Sequence, residues 1–176
     1  MALALAACGG DGGTSAKNPA AASRPVAERS PQAGNAAGDK GVPSVRLAEI
    51  TGQVGLVMIV NEVKRDYGGF VTVSGEIKNT SDQVRSMSGM EGSESAIVAQ
   101  NPNSVAGAML VDKVGKKRYY VLRDTDSRCL CTTAITPVAA GDSTPVFMQF
   151  PAPPATTTEL DFTLPSFGVA TLKISG

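Results

Sequence analysis

The sequence predicts an all-β domain, an immunoglobulin-like β-sandwich of seven to nine short strands, following a disordered amino-terminal tether. Three observations carry this. Short runs rich in β-branched and aromatic residues recur from about Ala48 onward. Gly, Pro, Asn and Asp separate these runs at short intervals, as they do where strands turn. No window shows the 3.6-residue periodicity of an amphipathic helix. The regions expected are therefore 1–7 as the remnant of a signal peptide, 8–45 as a linker rich in Ala, Gly, Ser and Pro, and 46–176 as the sandwich.

The first strand expected, Val54 to Val63, is dominated by aliphatic residues, and Tyr67-Gly68-Gly69 supplies a turn after it. Phe70 to Lys78 then alternates in character, which places Val71, Val73, Gly75 and Ile77 on one face. Asn79-Thr80-Ser81-Asp82 ends that strand, and Ser86 to Ser95 reads as loop. Ala96 to Ala99 is expected as a short strand and Ala108 to Asp112 as a clearer one. Lys113-Val114-Gly115-Lys116 is a hairpin turn into Arg118 to Leu122. The remaining strands are Thr144 to Phe150, Leu160 to Leu164 and Val169 to Ile174. Pro151, Pro153 and Pro154 close the first of these, because proline cannot donate to a ladder. Regular short strands of this kind argue for a sandwich, although the Cys…Trp…Cys pattern of antibody domains is missing.

Composition removes several classes of chemistry. The chain has 176 residues, with sixteen Lys+Arg against sixteen Asp+Glu, and the balance persists from Arg46 onward. No basic stripe is present to displace counterions from phosphates, so nucleic acid is not an expected partner, and anionic membrane surfaces are a poor electrostatic partner for the same reason. There is no histidine. Its absence excludes Ser-His-Asp and Cys-His catalysis and the usual zinc sites. Carboxylates remain, but no pair stands out, so an enzyme is not expected.

The amino terminus reads as an address. Leu5-Ala6-Ala7-Cys8 follows a short Ala/Leu run and resembles the bacterial lipobox. The resemblance implies cleavage before Cys8 and acylation of its thiol and new amine. Only seven residues precede Cys8 and none is charged, so the rest of the signal is expected upstream of Met1. Gly9 to about Ser44 has no aromatic residue and few aliphatic ones. Such a segment buries too little apolar area to offset its ordering entropy. As a flexible chain it spans about 30–35 Å.

Within the domain, the stretch Gly69 to Thr80, ending in Lys78-Asn79-Thr80, is similar to a strand of telokin-like, immunoglobulin-like domains in predicted bacterial lipoproteins. Gly115 to Thr133 and Phe150 to Pro154 are similar to segments of secreted actinobacterial lipoproteins. The resemblance covers Ile50 to the end and implies export and a sandwich, with no catalytic residues to carry over.

Cys129-Leu130-Cys131 is the most pointed chemical feature. With Cys8 lipidated, these are the two thiols left in an oxidising compartment, and a disulfide between them is the simplest outcome. On a flat strand their Cα atoms would lie about 6.5–7 Å apart, near the upper limit for a bridge. A turn formed by Arg123 to Arg128 could bend the backbone enough. A structural bridge is the first reading. The alternative is Cu(I) binding or redox activity at Cys129 and Cys131, with Met87 and Met90 adding soft thioether ligands from a loop. Asp124 and Asp126, with Asp112 and Asp142, lack EF-hand spacing, so no metal or other cofactor is expected. Lys113, Lys116, Lys117 and Arg118 form a basic hairpin read first as a solvated turn that protects a strand edge, and second as a contact for anionic head groups or wall polymers.

The function expected is that of a lipid-anchored, extracytoplasmic binding module of the cell envelope. Its partners are the membrane, reached through the lipid on Cys8, and an envelope protein or polymer as ligand.

Overall fold

A computed structural model describes residues 45–176 of the chain. The signal remnant, Cys8 and the linker as far as Ser44 lie outside the described residues.

The described part is an all-β sandwich of eight strands. They are β1 (Ala48–Thr51), β2 (Leu56–Asp66), β3 (Phe70–Asn79), β4 (Met109–Asp112), β5 (Lys117–Tyr120), β6 (Ser143–Pro151), β7 (Glu159–Thr163) and β8 (Val169–Lys173). One sheet has the order β1-β2-β3-β6 and the other β5-β4-β7-β8, with every neighbouring pair antiparallel. The chain crosses from β3 to β4, returns from β5 to β6 and crosses again to β7. This interlocks the β3–β6 pair with the β4–β7 pair.

Alternation places the inner faces as expected. Val71, Val73 and Ile77 of β3 join Met58, Val60, Val146, Met148 and Phe150 in one core cluster. Leu110, Leu160, Phe162 and Leu172 of the other sheet complete it. A β-bulge between Val60 and Glu62 shifts the β2 register by one residue. Without the extra residue, Val63 would face solvent; with it, Val63 returns to the core. Gly75 stands opposite the bulge, where a methyl group would run into the carbonyl oxygen of Ile59. That close approach is why glycine occupies an inward position of a central strand.

Three elements differ from the sequence expectation. Ala96–Ala99, expected as a strand, lies in a short helix, α1 (Ser95–Gln100). The carbonyl of Glu94 accepts from both Ile97 and Val98, and only Ile97 of the helix is buried. An apolar run of four residues does not distinguish strand from helix. β1 is an additional edge strand ahead of the first one expected. β2 begins at Leu56 because Val54 has a positive φ of 51° in a 3₁₀ turn.

Two buried asparagines fix the crossovers. The Asn79 side-chain amide donates to the carbonyls of Gln83, Val138 and Ala139 at 2.7, 2.9 and 3.2 Å. Its Oδ1 accepts from the backbone N–H and the hydroxyl of Ser81. Asn101 does the corresponding work at the end of α1.

Candidate functional site

The site is built around β5, the outer strand of its sheet. β4 and β5 form a hairpin whose turn is held by Asp112. Its Oδ1 accepts the Gly115 N–H at 2.7 Å and its Oδ2 accepts the Thr157 hydroxyl at 3.1 Å. The Gly115 hydrogen bond holds the Asp112 carboxyl below its ordinary value, against the opposing effect of burial. Lys116 closes the turn at a φ of 51°. Because β5 pairs with β4 along one side only, half of its N–H and C=O groups point outward, and no other strand takes them among the described residues.

Beyond β5 the chain swings onto the other sheet. Leu122 donates to the Gln149 carbonyl, Gln149 donates back to Leu130, and Thr132 donates to Phe147. Residues 122–132 therefore cover the free edge of β6. Between them, Asp124 Oδ1 accepts from the N–H groups of Asp126 and Arg128, so this aspartate shapes a local turn. Ser127 takes a φ of 64° there.

The bend brings Cys129 and Cys131 together, sulfur against sulfur, with their Cα atoms 5.2 Å apart. That is shorter than a flat strand allows, as the turn at Arg123–Arg128 anticipates. Cys131 is 8% exposed and belongs to the core cluster, while Cys129 packs against it. Asn101, 1% exposed, anchors this segment to α1. Its amide donates to Ile97 and Ser127 at 2.9 and 2.8 Å, and its Oδ1 accepts the Cys129 N–H at 2.8 Å.

A groove of about 420 Å³ lies beside β5. Tyr120, Val121, Leu122 and Pro151 give it an apolar lining, and Arg118, Arg123 and Glu94 supply charge. Arg123 pairs with Glu94 at 3.0 Å, while its Nε is buried without a partner among the described residues. A second hollow, of about 450 Å³, lies between the hairpin turn and Pro154–Glu159. Tyr119, which points inward from β5, packs against the core with its hydroxyl enclosed and unpartnered among the described residues. Burial pushes its pKa above the ordinary phenol value, and the Asp112 charge adds to the shift.

Met87 and Met90 are core residues rather than loop ligands. Enclosed in this way, their thioethers serve packing. Asp112, Asp124 and Asp142 act in three separate turns. Among the described residues no group of three or more Cys, Asp or Glu is placed to hold a metal ion.

No family model, curated protein or solved structure matches this chain.

Proposed function

We propose that this protein is a lipid-tethered, extracytoplasmic binding module of the cell envelope, anchored through Cys8, that holds an extended segment of an envelope protein or polymer along β5. The observation that supports this most is the free edge of β5 beside an apolar groove carrying two arginines. An edge strand offers backbone hydrogen bonds to any extended chain, and the groove offers an apolar lining, the Arg118 cation and the Arg123–Glu94 pair for selection. Cys129 and Cys131 serve as a closed structural disulfide that fixes the bend in residues 122–132, whose backbone hydrogen bonds to β6 cover that edge while β5 stays open.

A photo-crosslinking residue at Tyr120, in protein produced from its complete reading frame in the native host, tests the binding surface. One dominant adduct, lost in an Arg123→Glu variant, is the expected result. A crosslinking pattern no different from that of an exposed position on β8, such as Val169, overturns the reading. The intact mass of the extracted protein tests the anchor separately. A mature Cys8 without acyl mass removes the lipid and leaves the β5 surface standing.

A further inference from the structure

We infer that the hairpin end of the sandwich is a docking surface for an anionic lipid bilayer. The inference does not depend on the lipid anchor or on the β5 groove.

The two most exposed large hydrophobic residues of the described domain are Tyr67, at 113%, and Val114, at 96%. Each sits at the tip of a hairpin, Tyr67 between β2 and β3 and Val114 between β4 and β5. The two tips lie at the same end of the sandwich. Arg65, two residues before Tyr67, donates to the carbonyls of Pro153 and Thr157, and Thr157 donates to Asp112, two residues before Val114. A continuous set of hydrogen bonds thus runs from one hairpin to the other. The strand β1 is also approached from this end, since the Asn61 amide donates to the Val45 carbonyl and Leu47 to Val60.

Charge at this end is locally positive, although the chain as a whole is neutral. Lys64, Lys116, Lys117 and Arg118 form no ion pair among the described residues. Of the acids nearby, Asp161 pairs with Lys113 at 3.0 Å and Glu159 with Lys173 at 3.7 Å. Asp66 and Asp112 accept only from neutral donors, so with Glu62 they offset three of the five remaining cations, Lys64, Arg65, Lys116, Lys117 and Arg118, and leave this end positive. At the opposite end, Asp82 and Asp142 are balanced by Lys78 and Arg85, so no positive excess builds up there. Electrostatic screening over about 10 Å means that a surface senses the near end and not the net charge. Exposed tyrosine and aliphatic tips between lysines match a lipid interface, with ring and methyl groups entering the head-group layer and ammonium groups staying at the phosphates. A soluble anionic polymer would use the lysines and leave Tyr67 and Val114 without a partner, so the exposed apolar tips favour lipid. Each lysine held near an anionic bilayer raises affinity by about fivefold.

The chain contains no tryptophan, so one placed at a tip is a sole reporter. The experiment uses the non-lipidated chain in two forms, Val114→Trp and, at the opposite end, Val84→Trp, which is also well exposed. Each is titrated with phosphatidylcholine vesicles with and without phosphatidylglycerol. Docking predicts a blue shift for Val114→Trp on phosphatidylglycerol vesicles alone, quenching by brominated lipid, and no change for Val84→Trp. Adding Lys116→Glu and Lys117→Glu weakens binding by at least about 25-fold. No shift at position 114, or equal shifts at both positions, overturns the inference. Binding of soluble polyphosphate as tight as that of vesicles, with no blue shift, overturns it in favour of a polymer site.

Discussion

Replacing Asn101 by alanine removes the buried side chain that ties the end of α1 to the segment holding Cys129 and Cys131. The Ile97 carbonyl keeps the Asn101 backbone N–H as a donor, so the substitution orphans two groups, the Ser127 carbonyl and the Cys129 N–H. An unsatisfied polar group that is largely buried costs about 1–3 kcal/mol, so the expected loss of stability is about 2–4 kcal/mol, partial hydration of the loop carbonyl setting the lower end. Urea unfolding followed by circular dichroism reads this as a lowered midpoint at unchanged slope. The same substitution in a Cys129→Ser/Cys131→Ser background separates anchoring from simple packing. If Asn101 acts by holding the cysteine segment, its removal costs less once that segment is already released, and the two changes are sub-additive by about 1 kcal/mol or more. A loss below about 1 kcal/mol, or strict additivity, would refute the assignment of Asn101 as the anchor of this segment.

Gly75→Ala drives a methyl group against the Ile59 carbonyl at the bulge and is expected to cost about 2–4 kcal/mol in thermal or urea unfolding, an unchanged midpoint counting against the bulge argument. Tyr119→Phe deletes an enclosed hydroxyl without a partner and is expected to leave stability unchanged or raise it by about 1 kcal/mol, whereas Tyr119→Ala opens a cavity and destabilises. Asp112 has a carboxyl pKa below its ordinary value of 3.8 in the folded state. Its contribution is therefore complete above that value and is lost as pH falls through the lowered one, so the parent sheds stability on acidification below about pH 4. Asp112→Asn flattens that limb, and parallel pH profiles for the two proteins would contradict the linkage. In the non-lipidated chain, a thiol reagent under native conditions is expected to find Cys8 alone, with Cys129 and Cys131 reacting only after reduction. Three reactive thiols without reductant would remove the structural bridge.

Much of the fold was legible because burial imposes a period of two on any strand with one wet face. Val71, Val73, Gly75 and Ile77 could be assigned to one face for that reason, and the proline cluster after Phe150 marked the end of β6. The short helix over Ala96–Ala99 was not legible, since a run that short fits either geometry and the Glu94 carbonyl decides between them. The bulge at Asn61 left no mark, because a single polar residue in an aliphatic run looks like ordinary alternation. Most of the candidate site was also hidden. The sequence singled out the two cysteines and the basic hairpin, but an asparagine buried at the centre of a network reads the same as one in a solvated turn. For that reason nothing in the sequence marks Asn101, and Asn79 reads only as the end of a strand. The groove beside β5 depends on how two sheets close against each other, and residues as far apart as Glu94, Arg118 and Pro151 give no local sign of meeting.

The closure of the domain near its last residues bears on when it can fold. Ser175 donates through both its N–H and its hydroxyl to the carbonyl of Val63, 112 residues earlier in the chain. β8 meanwhile completes the second sheet against β7. Pairings of such long separation form late, because the intervening loop must close before any contact rewards it. A partly synthesised or partly threaded chain therefore lacks the pieces that lock the interlocked strand pairs, and it stays loose until β8 arrives.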